Sequence, residues 1–181
     1  MSPSRIKSRP AATTAGAAEI DHSSASGDDF AALSRDRVPI RSMTKGDLAA
    51  ILLIDKRITG RDRKAYFKRK LAEAMDESGV RVSLVAESDG EVRGFIMARV
   101  EFGEFGSLES EAVIDTIGVA ASHGHKGVGS ALVSQLMTNL IGLRVERVRT
   151  EVDWNHFGLL SFLDRMGFRP HLRLALRRPV R

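Results

Sequence analysis

The sequence contains no cysteine, which excludes disulfides, thiolate metal ligands and a thiol nucleophile. That fits a reducing interior. No apolar run approaches the ~20 residues that cross a bilayer, so a transmembrane helix is excluded. There is no apolar secretory segment near the start, and the expectation is a cytoplasmic protein without a membrane partner. Aromatic residues are scarce, with one tryptophan and one tyrosine, and there are no internal repeats. What remains is ordinary for a globular chain: 43% hydrophobic and 28% charged residues in a length of 181, enough for one domain with a core.

The formal charge is +5. Within residues 1–37 the basic Arg5, Lys7, Arg9, Arg35 and Arg37 cancel Glu19, Asp21, Asp28, Asp29 and Asp36. Much of the excess lies at the other end, where residues 165–181 carry six arginines and no acid. Such an end could bind nucleic acid, but no nucleic-acid motif accompanies it, and a wet strand face explains it as well. Residues 1–37 are rich in Ala, Ser and Asp with little apolar periodicity, so a disordered tail is expected there and a folded domain over 38–181.

The periodicity predicts a strand over 38–43, then Thr44 as an N-cap with Asp47 three residues on, and a helix carrying Leu48, Ile51, Leu52 and Ile54. Gly60 ends it, and a charged helix follows over 62–76. Strands over 80–86 and 92–100 are joined by Ser88-Asp89-Gly90, a hairpin signal. Further strands are expected over 112–119, 145–152 and 168–176, with helices over 127–141 and 157–166. The order implies an α/β fold with a mixed central sheet of about six or seven strands and about four flanking helices.

One stretch carries chemistry. The apolar strand through Asp115, Ile117, Gly118 and Val119 runs into Gly124, His125, Lys126, Gly127, Val128, Gly129 and Ser130, and then into an amphipathic helix. A strand, a Gly-rich turn and a helix N-terminus aim unpaired amides and a partial positive charge at one point, which suits a phosphate. A side chain at Gly127 or Gly129 would hold an anion away from the backbone. On spacing alone, an ordinary strand-turn-helix connection fits equally. A P-loop does not, because no Gly-Lys-Ser/Thr follows, and neither does a dinucleotide fold, because other strands precede this one.

The stretch resembles the coenzyme-A-binding motif of the Gcn5-related N-acetyltransferase (GNAT) family, Arg/Gln-x-x-Gly-x-Gly/Ala after a hydrophobic strand. A second segment agrees: Glu151-Val-Asp-Trp-Asn-His156, then Phe162-Leu163 and Gly167-Phe168, is similar to that family's late motif. The opening, Ile40-Arg-Ser-Met-Thr-Lys-Gly-Asp-Leu48, resembles its first strand and helix. The likeness spans roughly residues 38–176. Three positions depart. Gly124 replaces Arg or Gln, with its own amide expected to stay available; His156 replaces Asn; and Leu163 stands where a Tyr often serves as general acid.

The resemblance implies acetyl-CoA as co-substrate and an amine-bearing small molecule or peptide as acceptor. It places the thioester and pantetheine against residues 117–119 and the pyrophosphate against the turn, with Asn155 and His156 as further cofactor contacts. The chemistry needs a base for an ammonium whose pKa is near ~10, and a fixed amide for the developing oxyanion. Glu151 occupies the family position of a base. Asp115, four residues before Val119, would share its face if no bulge intervenes. Histidine titrates near neutrality, so His156 is a candidate to protonate the thiolate; capping the next helix is its other reading. His123 and His125 lack a third ligand, and no metal is assigned. Trp154 is expected to pack around the acceptor site or core.

The acceptor itself is left open, because residues 57–70 are basic whereas Glu101, Glu104, Glu109 and Glu111 are acidic. Self-association into a homodimer is open too. Two alternatives remain beside the enzyme: an acetyl-CoA-binding regulatory module without catalysis, and a basic nucleic-acid-associated protein.

Overall fold

The computed structural model describes residues 37–75, 81–102, 110–171 and 178–180. The expected tail over 1–37 thus lies, Arg37 aside, outside the described residues, as do Glu104 and Glu109. Five strands form one sheet in the order β1-β2-β3-β4-β5: β1 (Ile40–Ser42), β2 (Arg81–Ser88), β3 (Glu91–Phe102), β4 (Ser110–Val119) and β5 (Arg147–Thr150). The first four run antiparallel to their neighbours, and β5 pairs parallel with β4. The sheet is therefore mixed as expected, but among the described residues it has five strands rather than six or seven. The strand expected over 168–176 is irregular at 168–171, and 172–177 lie outside the described residues.

Among the described residues four α-helices accompany the sheet: α1 (Leu48–Thr59), α2 (Lys64–Met75), α3 (Val128–Gly142) and α4 (Phe157–Arg165). Alternation along the strands sorts their side chains to two faces. Val82, Leu84, Ala86, Ile96, Ala98, Ala112 and Ile114 meet Val128, Leu132, Leu136 and Leu140 of α3, with Phe162 of α4 and Met166 just after it packed against them. On the opposite face Val85, Phe95 and Met97 meet Ile51 and Ile54 of α1 and Phe67 and Leu71 of α2. Parallel pairing of β4 and β5 requires a crossover, and α3 supplies it.

The local signals act as their chemistry suggests. Asp47 accepts bonds from the Thr44 amide (2.7 Å) and hydroxyl (3.0 Å), tying the start of α1. Arg41 of β1 forks onto both Asp47 oxygens at 2.8 Å, which joins the first strand to the first helix. Asp89 and Gly90 both have positive φ, the backbone that a two-residue hairpin with the sheet's twist demands.

Candidate active site

The β4–β5 ladder covers four residue pairs and ends at Ile114 and Thr150, where the Thr150 hydroxyl bonds the Ile114 carbonyl at 3.1 Å. β4 runs on to Val119 with β3 as its ladder partner. Among the described residues, 115–119 thus have a ladder on one edge and a split, without a paired strand, on the other. The β3–β4 register shifts here: Met97 faces Thr116 while Ala98 faces Ile114, so Asp115 is an extra residue on β4. This β-bulge moves the alternation by one. Ile114 and Ile117, three apart, pack in the same cluster, as does Val119. The expectation that Asp115 shares the face of Val119 is therefore corrected: Asp115 bonds Lys70 of α2 on the opposite side of the sheet.

After Val119 the chain makes a short 3-10 turn (Ala121–His123) and enters α3 through Gly124, His125, Lys126 and Gly127. His125 and Gly127 have φ of 60° and 80°, and a non-glycine side chain at such a φ costs about 1–2 kcal/mol. The first bond entering α3 runs from the Ala131 amide to the Gly127 carbonyl at 2.9 Å. Among the described residues, the amides of His125, Lys126, Gly127, Val128, Gly129 and Ser130 have no protein acceptor. The Gly124 amide does, the Ala121 carbonyl at 3.3 Å, so it is not available as expected. His125 and Lys126 are exposed. Gly129 has a different reason from the one its motif suggested. A Cβ there would lie 3.2 Å from the Phe162 ring, so its absence lets α4 pack against the start of α3.

Past β5 the chain runs through residues 151–156 into α4. Glu151, one residue past the last ladder pair, is 83% exposed in its side chain and meets Arg149 Nη1 at 3.5 Å. Asn155 and His156 are exposed. His156 stands at the N-cap of α4, where its carbonyl accepts from Leu159 and Leu160, but its imidazole makes no capping bond. That leaves the ring free of the role that capping would give it. Trp154 is 82% exposed, so of the two placements expected for it, acceptor site or core, the core is ruled out. Leu163, at the position of the family's tyrosine, is buried and is part of no polar cluster.

Charge gathers on the α1/α2 side of the split. Lys70 Nζ donates to Asp115 Oδ2 at 2.9 Å, and Arg99 bonds Asp115 Oδ1. Arg149 reaches Glu111 and Glu101, each at 3.0 Å. Burial pushes the Glu101 carboxyl up, but bonds from Arg99 and Arg149 outweigh it and hold it below its ordinary value. Burial likewise lowers the Arg149 guanidinium, and Glu101 and Glu111 more than restore it. Burial raises the phenol of Tyr66, partly countered by Arg63 and Arg99, so it stays neutral at physiological pH. Lys70, Arg99 and Arg149 were missed by motif reading. Their signal was the alternating charge of β3 and β5 and the basic run of α2, which read equally well as solvated faces. Among the described residues no group of three or more His, Asp or Glu could hold a metal ion, and no helix is long and apolar enough to cross a membrane.

Ile117, Gly118 and Val119 of β4 thus lead into the α3 turn, and Gly129 at the start of α3 packs against Phe162 of α4, while Asp115 turns to the opposite side of the sheet. Solved structures share this fold. A transcriptional regulator from Bacillus halodurans C-125 superposes with a TM-score of 0.67 at 20% identity, covering 78% of this chain and 99% of its own. The aminoglycoside antibiotic 6'-N-acetyltransferase AAC(6')-IG from Acinetobacter haemolyticus gives 0.67 at 14% identity, covering 78% and 98%. AAC(6')-Iy, in complex with the bisubstrate analog CoA-S-monomethyl-acetylneamine, gives 0.67 at 18% identity, covering 79% and 98%. No curated protein matches in sequence. The sequence profile of the Acetyltransferase (GNAT) family matches residues 48–168, from the start of α1 to just past α4. The chain belongs to the GNAT acetyltransferase family.

Proposed function

We propose that this acetyltransferase moves an acetyl group from acetyl-CoA to an amine of a small molecule or peptide, by direct attack in a ternary complex. One observation carries the reading: among the described residues, six consecutive amides without a protein acceptor stand at a helix N-terminus, shortly after a strand with no ladder partner on its other edge. Unpaired main-chain donors with a helix dipole behind them fit a diphosphate, and an open strand edge fits the amides of a pantetheine arm. His125, Lys126, Gly127, Val128, Gly129 and Ser130 would hold the diphosphate. Ile117, Gly118 and Val119 would lie along the pantetheine, and Asn155 and His156 would face it from the other wall. Several structures of similar fold are aminoglycoside acetyltransferases, among them one with a CoA-based bisubstrate analog.

Acetyl-CoA supplies an acyl thioester; the rest falls to the protein. A β4 amide on the open edge, fixed by the ladder to β3, is placed to meet negative charge developing on a carbonyl oxygen. Glu151 is the better candidate to accept the proton of the ammonium, directly or through water. It is exposed just past the end of β5 and its contact with Arg149 is long, at 3.5 Å, whereas both Asp115 oxygens already accept from cationic donors. His156 could return a proton to the departing thiolate.

Glu151→Gln tests this with little steric change. At saturating acetyl-CoA and with an accepting amine, it should lower kcat about a hundredfold and leave acetyl-CoA affinity unchanged. Wild-type turnover in that variant would remove Glu151 from the mechanism. A second reading rests on Leu163, which puts a buried apolar side chain where a proton donor often stands. It makes the chain a module that binds acetyl-CoA without turning it over. Calorimetric titration with acetyl-CoA followed by free-thiol release over an amine panel separates the two. Binding without thiol release selects the module, and absence of binding rejects both.

A further inference from the structure

Asp115 is the extra residue of the β4 bulge, and its carboxylate is nearly buried, at 10% exposure, between two cations from different layers. Lys70, 15% exposed, reaches it from α2, and Arg99 reaches it from β3. Arg99 also bonds Glu101 at 2.9 Å, and Lys70 lies 3.7 Å from Glu73 on its own helix. The triad therefore ties three elements at the one point where β4 changes phase. Before it, Ala112 and Ile114 face α3; after it, Ile117 and Val119 do. Without the extra residue, the side chains of 117–119 would exchange faces, and the main-chain groups that alternate with them would exchange edges. The amides turned toward the split are set by the bulge, and the bulge is held by Asp115.

The geometry points to Asp115 as a positioning residue rather than a base: the Lys70–Asp115–Arg99 triad locks the bulge and so aims the open edge of β4 at the thioester. This rests on the proposed acetyl transfer. The triad is also a link between α2 and that edge, since Lys70 ties the helix layer to Asp115.

The test uses the full chain and four variants, Asp115→Asn, Lys70→Met, Arg99→Met and the double Lys70→Met/Asp115→Asn. Free-thiol release is measured against acetyl-CoA and an amine that the wild type accepts. Each single variant should lose about ten- to a hundredfold in kcat, the range for a small misplacement of reacting groups, while acceptor KM moves less than about threefold. The double variant should be no worse than the worse single one, because both break one lock. In parallel, calorimetry compares acetyl-CoA with CoA. The wild type's discrimination between them should shrink in Lys70→Met, whose apolar replacement keeps the helix packed, while CoA affinity holds. If Asp115→Asn alone is inactive and Lys70→Met and Arg99→Met keep full kcat, Asp115 is the proton acceptor and the inference falls. Losses that add in the double variant, or that merely track the melting temperature, reduce the triad to a stability element and also overturn it. Absence of thiol release by the wild type with any amine defeats the acetyl-transfer reading instead. The calorimetric comparison then still decides whether the triad aims the edge.

Discussion

The two halves of β4 are built from similar residues and do opposite things. Residues 111–114 are flanked on both sides, by β3 and by β5, and their main-chain groups serve the sheet. Among the described residues, 115–119 are flanked by a strand on one side. The ladder that would satisfy their second edge stops at Thr150, and the chain turns away into the β5–α4 segment. The comparison teaches where a site of this kind comes from. A fold satisfies its main chain wherever it can, and donors left over at a bulge, a strand end and a helix start are available to a ligand.

The largest expected effect attacks the open half from behind. A Cβ on Gly118 would stand 2.7 Å from the Phe95 ring, which is fully buried between β3 and the α1/α2 layer. Gly118→Leu should destabilise the fold by about 3 kcal/mol, as overpacking of a rigid core does. Thermal unfolding measures it. An unchanged melting temperature would mean that the open half is loosely seated and that its edge is not fixed by packing.

A carboxylate that serves structure alone sharpens the contrast with those around the split. Bonding to Arg41 lowers the Asp47 carboxyl to about 2, against a burial effect that works the other way. A depressed folded value favours the folded state above the unfolded value near 3.8, and that contribution disappears as pH falls toward 2. It amounts to about 1–2 kcal/mol once the partial exposure of Arg41 is allowed for. Urea unfolding of wild type and Asp47→Asn should differ by that amount at pH 6 and converge by pH 2. A gap that persists at pH 2 would assign the effect to packing instead of charge.

Gly127→Ala comes next, at about 1 kcal/mol of stability, because Gly127 has φ of 80° at the mouth of α3. The same change should weaken acetyl-CoA binding by more than it weakens the fold, since relaxing φ turns the free amides away from one another. Calorimetry beside denaturant unfolding separates the two losses. Equal losses would show that the turn is a connection and not a cradle.

Much of the layout was legible because each signal is local: the Thr44–Asp47 pairing, the Asp89-Gly90 turn, the apolar stripe of α3, and the glycines before it. The contacts that organise the site were not. A bulge at Asp115 depends on how β3 and β4 register, which no residue spacing reveals, so strict alternation put Asp115 on the wrong face. The Gly124 amide looked free until the 3-10 turn folded it onto Ala121. Lys70 and Asp115 lie 45 positions apart, and each alone reads as a solvated charge. Trp154 shows the converse: a lone tryptophan favours burial on average, but its place in a connecting segment beside the split left it exposed.

The smallest expected effect lies on the boundary between the two halves. The Thr150 hydroxyl bonds the Ile114 carbonyl at 3.1 Å, the last tie before the split. Thr150→Val keeps the shape and removes that bond, at a cost of about 0.5–1 kcal/mol. The informative readout is where the change appears. Hydrogen exchange should quicken in β5 and leave the β4 amides bonded to β3 protected, because the open half is held from the β3 side. If protection fell along 115–119 as well, the split would depend on β5 for its shape, and the two halves of β4 would be one mechanical unit.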